Sequence, residues 1–337
     1  MINTLSITAW PARGRLLFPG LCACAVVAAA ATFLSQHYGA PVMLFALLLG
    51  LAMNFLSEES RCGPGIEFAA RAVLRWGVAL LGLRITVGQI VALGWHPVVL
   101  VLLSVTLTIA VSMVVARMMG FQSLFGLLSG GATAICGASA AMALAAALPS
   151  HPQKERATLF TVVVVSSLST VAMIAYPMVA QWLGLDARTA GVFLGATIHD
   201  VAQVVGAGYG MSRETGDIAT FVKLMRVAML LPVIVFAVAC TRARGGAAGG
   251  KRPPLLPWFA VAFALLVLVN SAGWIAKPVA DLGSDLSRWF LVGAIAAIGM
   301  KTRIRELATV GFKPVALMLG ETVFLAILVL VLLRWAP

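Results

Sequence analysis

A polar run in one of the most apolar parts of the sequence carries the residues best suited to chemistry. Residues 195–208 combine Thr197, His199, Asp200 and Gln203 with glycine, alanine and valine. A charged residue inside a membrane span costs a few kcal/mol, so such residues usually serve a function. The glycines around this run disfavour an unbroken helix. We therefore interpret the run as the break of a discontinuous membrane helix that binds something small.

The acidic and imidazole groups of this run suit ion coupling. His199 and Asp200 are adjacent, so on a helix their side chains point about 100° apart. Histidine can change charge near physiological pH, and a buried carboxylate can bind a proton, so either residue could carry a coupling proton. Glu321 is the other carboxylate inside an apolar segment, where it could bind a proton or form a hydrogen bond between helices. The predicted ion-coupling residues are thus His199, Asp200 and Glu321.

A second Gly-rich segment and two cations complete the predicted site. Residues 129–139 are so rich in small side chains that they permit either close helix packing or another break. Lys223 and Arg226 share a helix face, about 9 to 14 Å into their span, where they could serve an oxyanion, snorkel to the interface or pair with Asp200. Backbone N–H groups at a helix break also attract anions. The predicted substrate contacts are Thr133, Cys136, Ser139, Thr197, Gln203, Lys223 and Arg226.

Enzymatic alternatives are poorly supported by the motifs. Residues 137–140 with His199 resemble a serine-protease pair only superficially, because Gly-x-Ser is common in such helices. The sequence contains no nucleotide fingerprint, and its five cysteines lack the spacing of a metal or disulfide site. We expect no catalytic activity, no cofactor and no metal.

The composition defines the class of protein that positions these residues. The 337 residues are 61% hydrophobic and 11% charged, with a mean hydropathy of +1.01. A soluble protein carries about a quarter charged residues, so we predict an all-α polytopic membrane protein. The net charge of +12 then reflects cytoplasmic loops rather than nucleic-acid binding.

Eleven spans are predicted, in a single membrane domain. They cover approximately 16–34, 41–56, 66–83, 97–118, 127–148, 157–183, a segment from 189, 217–240, 256–271, 286–300 and 314–335. Glu67, Arg71 and Arg75 are expected to pair along one face of the third span. Basic residues around 13–15, 117, 242–252 and 301–313 fall on one side, whereas fewer, at 84, 154–156, 213, 277 and 334, fall on the other. The positive-inside rule makes the N-terminus cytoplasmic and the C-terminus periplasmic, with 241–254 a flexible cytoplasmic loop.

The chain also repeats itself. Gly82 to Ile85 and Gly94 to Val98 match Gly299 to Thr302 and Gly311 to Val315 at identical spacing, and Gly131-Ala132-Thr133 is echoed by Gly195-Ala196-Thr197. Seven spans separate the longer matches, and an odd number inverts the copy, which is a common plan of secondary transporters. We predict repeats over 41–184 and 187–337, preceded by an extra helix in 1–40. Two broken helices are then expected to cross near the midplane.

The motifs at 135–140, 199–205, 223–227 and 311–314 closely resemble the YeiH-like family of bacterial inner-membrane proteins, generally described as sulfate exporters. That family looks related to cation/proton antiporters and bile-acid-type symporters. The resemblance implies an inverted five-plus-five repeat with two crossing broken helices, plus one extra span. Members often have Glu where this chain has Asp200, and the carboxylate is kept.

These observations predict a secondary transporter of the bacterial inner membrane for a small anion such as sulfate, driven by a proton or sodium gradient. A sodium/proton antiporter with Asp200 as the cation ligand is the alternative, and a passive anion channel is the third. The expected partners are the anion, the coupling ion and the lipid bilayer, and a homodimer is left open.

Overall fold

The computed structural model describes residues 9–38, 41–58, 61–148, 154–243, 257–302 and 312–335, and every regular element in these ranges is helical. The helices are α1 Ala9–Tyr38, α2 Val42–Ala52, α3 Phe55–Glu58, α4 Gly63–Phe68, α5 Leu74–Leu80, α6 Val87–Ala92, α7 His96–Met118, α8 Ser123–Ala134, α9 Ala138–Ala147, α10 Lys154–Trp182, α11 Ala187–Thr197, α12 Val201–Met211, α13 Arg213–Ala228, α14 Leu230–Ala243, α15 Trp258–Ser271, α16 Lys277–Lys301 and α17 Phe312–Trp335. A π-helical turn, Ala69–Val73, joins α4 to α5, and a 3₁₀ turn, Leu81–Leu83, follows α5.

Five of the described helices are long and apolar enough to cross a membrane. They are Gly14–Tyr38, His96–Met118, Lys154–Trp182, Arg213–Ala239 and Phe312–Trp335. Large apolar side chains such as Leu107 and Ile327 are exposed on them, as expected for lipid-facing positions. The prediction of an all-helical membrane protein is confirmed.

The chain divides into two compact units, and the first contains residues 1–84 and 265–302. Its helices α2 and α16 touch through glycines, since a Cβ atom on Gly50 would lie 2.3 Å from the Ala296 carbonyl oxygen. Glu67 accepts hydrogen bonds from Arg71, four residues later, and from Lys301 on α16. The predicted pairing of Glu67 with Arg71 is confirmed.

The second unit contains residues 85–264 and 303–337 and holds every predicted site residue. Within it, α11 and α12 form a helical hairpin, called hairpin 2. The Thr215 hydroxyl at the start of α13 donates to the carbonyl of Ala187 at the start of α11, over 3.1 Å. A Cβ atom on Gly208, near the end of α12, would lie 2.9 Å from the Cα of Gly216 on the same α13 turn. Both ends of hairpin 2 therefore lie at the start of α13.

Helices α8 and α9 form the corresponding hairpin 1. Gly131, before the turn, faces Leu144, after it, because a Cβ atom on Gly131 would lie 2.3 Å from the leucine Cδ1. The arms are therefore antiparallel. Lys154 Nζ donates to the Leu148 carbonyl over 2.9 Å, which places the end of α9 at the start of α10.

These contacts correct the predicted topology. The Gly-rich fifth and seventh segments are re-entrant hairpins, so two of the eleven predicted crossings return to the side they came from. An arm of 11 residues, as in α11, is about 16 Å long and reaches only halfway across a bilayer of about 30 Å. Sequence pattern could not separate the two cases, because a helix that is broken at its middle has the same composition whether it continues or turns back.

The hairpins enter from opposite ends of α10. Hairpin 1 ends next to Lys154, the first residue of α10. Four residues separate Trp182, the last residue of α10, from Ala187, the first residue of hairpin 2. Lys154 and Arg156 thus lie at the end of the unit that holds Arg117, the last turn of α7, and not at the opposite end as predicted. Most of the predicted loop 241–254 lies outside the described residues, and so does Gly311, the first residue of the second repeat match. The inverted repeat stays a prediction.

Candidate functional site

The tips of the two hairpins meet at the middle of α10. Tip 1 is residues 135–137 and tip 2 is residues 198–200. The backbone N–H of Asp200 donates to the Ser169 hydroxyl, 3.0 Å away, near the centre of α10. The His199 ring nitrogen Nδ1 lies 3.0 Å from the Thr133 carbonyl oxygen, which joins tip 2 to the end of α8.

Two fully buried cations on α13 hold the tips together. Lys223 Nζ donates to the carbonyls of Ile135 (2.6 Å) and Ile198 (2.9 Å), one from each tip. Arg226 donates through Nε to Ala134 (2.8 Å) and through Nη1 to Ile198 (3.0 Å). The same guanidinium also reaches the carbonyls of Gly195 (3.1 Å) and Thr133 (2.9 Å).

This arrangement satisfies the carbonyls that a helix end leaves without partners. The last carbonyls of α8 and α11 have no intrahelical donors and carry partial negative charge. Lys223 and Arg226 neutralise that charge at a depth where water cannot. In the described part of the chain neither cation forms an ion pair with Asp200, so the alternative in which they pair with this carboxylate is not what holds them.

The second helices of the two hairpins, α9 and α12, begin in different ways. Helix α12 is capped by Asp200, whose Oδ1 accepts the Ala202 N–H at 2.8 Å. Helix α9 begins after Gly137, whose φ of +63° favours glycine, and no side chain caps it. Ser139 in its first turn is exposed and Asp200 is half-buried, so both are accessible while the cations are sealed. The first turn of α9 therefore places the partial positive charge of a helix N-terminus beside Ser139.

A carboxylate surrounded by hydroxyls lies on the other side of hairpin 1. Glu321 on α17 is 5% exposed. Its Oε1 accepts from Ser112 on α7 at 2.5 Å and from Ser129 on α8 at 2.7 Å, and its Oε2 accepts from Thr133 at 3.0 Å. This cluster, called the hydroxyl cage, joins α7, hairpin 1 and α17.

His199 connects the hydroxyl cage to tip 2. Its Nδ1 faces a carbonyl oxygen, which only accepts, so Nδ1 carries a hydrogen. Its Nε2 lies 3.0 Å from the hydroxyl of Thr322, which neighbours Glu321 in sequence. The Thr322 hydroxyl also lies 2.8 Å from the Met318 carbonyl and can donate there or to the ring. His199 is thus fixed between the end of α8 and α17.

Gln203 lies beside Asp200, as predicted. Its Nε2 donates to the Thr170 hydroxyl over 2.9 Å, and its Oε1 is buried with no hydrogen-bond partner among the described residues. Asp200, whose N–H donates to the Ser169 hydroxyl, lies one helical turn before Gln203 and adds a carboxylate to the oxygens near tip 2.

The predicted hydroxyl contacts have different surroundings from those expected. Thr133 donates to Glu321, and Thr197 donates to the Phe193 carbonyl of its own helix at 2.6 Å. Neither hydroxyl proton is left for an anion, whereas Ser139 is exposed and its role as an anion contact stays a prediction. Cys136 is buried within tip 1.

Sequence reasoning missed the hydroxyls around Glu321. Ser104, Thr108 and Ser112 recur every four residues on α7, and all three are buried. A polar stripe at helical spacing in a membrane span marks a face that is turned towards protein rather than lipid. That stripe would have identified the helix that contacts Glu321.

A separate polar cleft lies at the open end of hairpin 2. It has a volume of about 470 Å³ and combines Arg188 and Arg213 with Glu214 and Asp217. Arg188 donates to the Ala92 carbonyl over 2.8 Å, so α6 closes one wall. The cleft lies at the membrane-surface end of α13, away from the tips.

Fold and site together define a polytopic helical membrane protein with two re-entrant hairpins whose tips meet inside the protein. The chain belongs to the family described as "Conserved hypothetical protein 698", whose family model matches residues 19–318. It is 57% identical to a UPF0324 membrane protein of Chlorobaculum tepidum over 94% of this chain and 89% of that protein. It is 54% identical to the UPF0324 membrane protein TauZ of Paracoccus denitrificans over 98% of each chain. No solved structure matches the chain significantly.

Proposed function

We propose that the protein is a secondary transporter of a small anion, with sulfate or a related sulfur oxyanion as the substrate, in the bacterial inner membrane. The hairpin tips form the substrate site, and alternating access exposes them to either side. Transport rather than catalysis is supported by a site that contains helix ends, cations and hydroxyls but no nucleophile–base pair with a reactive geometry.

The observation that carries this proposal is the charge at the tips. Two fully buried cations, Lys223 and Arg226, hold the tips, and the carboxylate of tip 2, Asp200, is half-buried. The N-terminus of α9, which follows Gly137, adds partial positive charge beside Ser139. Lys223 is sealed and donates to one carbonyl of each tip, so it would act on a bound anion through its charge. An oxyanion with several acceptor oxygens fits such a group of donors.

Similarity to known proteins supports the choice of substrate class. The resemblance to YeiH-like proteins favours sulfate, and the name TauZ of two relatives associates them with taurine and hence with sulfur compounds. Sulfate and sulfonates share the tetrahedral, oxygen-rich head that the tips would bind. The same resemblance supports a proton or sodium gradient as the driving force.

The test is uptake of radiolabelled sulfate into proteoliposomes, with and without an imposed pH gradient. We expect saturable uptake that rises with the gradient. Lys223→Met should lower sulfate affinity roughly tenfold, which corresponds to about 1.4 kcal/mol, because it removes one of the two positive charges that hold the tips. Lys277→Met, at an exposed lysine that begins α16, is the matched control. Uptake that Lys223→Met leaves unchanged would contradict an anion site at the tips.

A sodium/proton antiporter is the second candidate, and the oxygen group at tip 2 favours it. Asp200, Ser169 and the unpartnered Oε1 of Gln203 offer the hard oxygen ligands that small cations prefer. Absence of sulfate uptake, with sodium-driven proton movement in the same vesicles that Asp200→Asn abolishes, would establish this candidate instead.

A further inference from the structure

We propose that the hydroxyl cage around Glu321 is a proton-binding site and that its proton controls how hairpin 1 is held. Its role as the coupling site rests on the proposed transport function. The proton site itself does not, because it follows from the contacts of one buried carboxyl group.

The surroundings of Glu321 suit a proton better than a metal ion. Ser112, Ser129 and Thr133 are all within 3.0 Å of its oxygens, so the ligand shell is filled by hydroxyl groups that donate. No group of three or more His, Cys, Asp or Glu among the described residues could hold a metal ion. In the same described ranges, no ion pair reaches Glu321. A buried carboxylate that lacks a charged partner is the kind of group that exchanges a proton.

The cage can accommodate both forms of the carboxyl group without moving its heavy atoms. In the ionised form, all three hydroxyls donate to the carboxylate. In the protonated form, one new O–H bond on Oε1 donates to Ser112 Oγ, and the Ser112 hydrogen turns to the Gly126 carbonyl, which lies 2.7 Å away. Ser129 and Thr133 continue to donate, so no polar group loses its partner. The added proton comes from solvent, and no other bond changes.

The Gly126 carbonyl is the feature that makes this exchange work. Ser112 has one hydrogen and two acceptors in reach, so its hydroxyl can reverse direction. Without that second acceptor, a protonated Glu321 would face three hydroxyls that already point at it. The sequence places a glycine here, and its contact with α7 is close, since a Cβ atom on Gly126 would lie 2.6 Å from the Ser112 carbonyl.

The hydroxyl cage contacts hairpin 1 directly and is linked to hairpin 2 through Thr133. Ser129 and Thr133 belong to α8, and the Thr133 carbonyl accepts from His199 of tip 2 and from Arg226. An ionised Glu321 accepts from α7 and from α8, whereas the protonated group donates to α7 and turns Ser112 towards hairpin 1. The proton therefore adds a hydrogen bond from Ser112 of α7 to the Gly126 carbonyl of α8 and so changes how the entering arm is held.

The charged and titratable groups around the cage are few. Tip 2 presents His199, hydrogen-bonded to Thr322, and α13 presents Arg226 through Thr133. From α10, the Tyr176 hydroxyl reaches the Thr322 carbonyl at 3.5 Å. Helices α7 and α8 contribute only hydroxyls to this contact. An experiment on the cage must therefore distinguish the titration of Glu321 from that of His199.

The test of the proton site is infrared difference spectroscopy of the purified full-length protein between high and low pH. We expect a carboxylic-acid band from a buried group that Glu321→Gln removes. Glu214→Gln, at an exposed carboxylate in the first turn of α13, and His199→Gln should both keep it. A spectrum in which Glu321→Gln changes nothing would overturn the proposal.

A second, milder variant tests the proton site in case Glu321→Gln does not fold. Ser129→Ala keeps the carboxyl group and removes one donor to its ionised form, so the pH midpoint of the band should shift. Thr158→Ala, on the exposed start of α10, is the matched control without a shift. An unchanged midpoint in a folded Ser129→Ala protein would also overturn the proposal.

Transport then separates this site from the proposed function. The ratio of sulfate uptake with and without a pH gradient should fall to unity in Glu321→Gln and stay at the wild-type value in Glu214→Gln. A Glu321 band in a protein that moves no sulfate would contradict the transport proposal and leave the proton site standing. Gradient-driven uptake that persists in Glu321→Gln would exclude Glu321 as the coupling group.

Discussion

Lys223 and Arg226 are buried deep in the protein with no ion pair to an acidic side chain among the described residues, and their contacts explain how this is tolerated. Each donates to backbone carbonyls at the ends of two half-helices. Burial of a cation is costly unless its donors are satisfied, and burial of a helix end is costly unless its carbonyls are. The two costs offset each other here. The cations are therefore structural parts of the tips as well as sources of positive charge.

Arg226→Lys tests this role at the residue scale. Lysine keeps the charge but cannot replace a planar guanidinium that reaches four carbonyls, so we expect the free energy of unfolding to fall by about 3 kcal/mol. Arg213→Lys, at an exposed arginine that begins the same helix, should change it little. Unfolding in detergent, followed by circular dichroism, measures both. Equal stability of the two variants would mean that the carbonyls of the tips do not depend on Arg226.

At the scale of elements, small residues allow the hairpins to form. A Cβ atom on Gly195 would lie 2.5 Å from the Ala219 carbonyl, and one on Gly191 would lie 2.8 Å from Ile218 Cβ. Both glycines let α11 approach α13 along its whole length. The same glycines that indicated a break in the sequence therefore also serve packing between helices.

The re-entrant path of hairpin 2 predicts a specific pattern of accessibility. Single cysteines introduced as Arg188→Cys and Arg213→Cys, in a cysteine-free background, should react with a membrane-impermeant thiol reagent from the same side. Arg117→Cys should react from the opposite side, because α7 ends there. If the cysteines at 188 and 213 were labelled from opposite sides, the segment would cross the membrane as a broken helix.

At the scale of the whole molecule, the hairpins change which basic residues share a side. Lys154 and Arg156 join Arg117 at one end of the second unit, because hairpin 1 returns to the end where it began. The end predicted to be cytoplasmic thereby becomes richer in lysine and arginine. The positive-inside rule acts on such loops, and the orientation stays a prediction that this distribution of charge makes testable.

That orientation predicts a periplasmic C-terminus. A C-terminal alkaline phosphatase fusion should be active and the matching green-fluorescent-protein fusion dark, since α17 would end outside. A fusion placed after Arg117 should give the reverse result. An inactive phosphatase with a fluorescent partner at the C-terminus would show that the protein has the inverse orientation.

The sequence alone predicted the fold class and the positions of the helix breaks, because both depend on local composition. Apolar length and low charge determined a helical membrane protein, and glycines beside polar residues located both breaks, at 135–137 and 198–200. The depth of Lys223, Arg226 and Glu321 in their spans singled them out as residues with a role. Each of these properties depends on a residue and its near neighbours, which a sequence displays directly.

Tertiary structure alone decided what those residues contact. A broken segment that crosses and one that turns back have the same composition, and tertiary contacts such as that of Thr215 with Ala187 separate them. Ser112 and Glu321, 209 residues apart, meet because α7 and α17 pack together. The partners of the cations are backbone carbonyls, which every residue possesses and no sequence pattern marks. Long-range packing therefore set the topology and the bonding of the site, while local composition set its position in the chain.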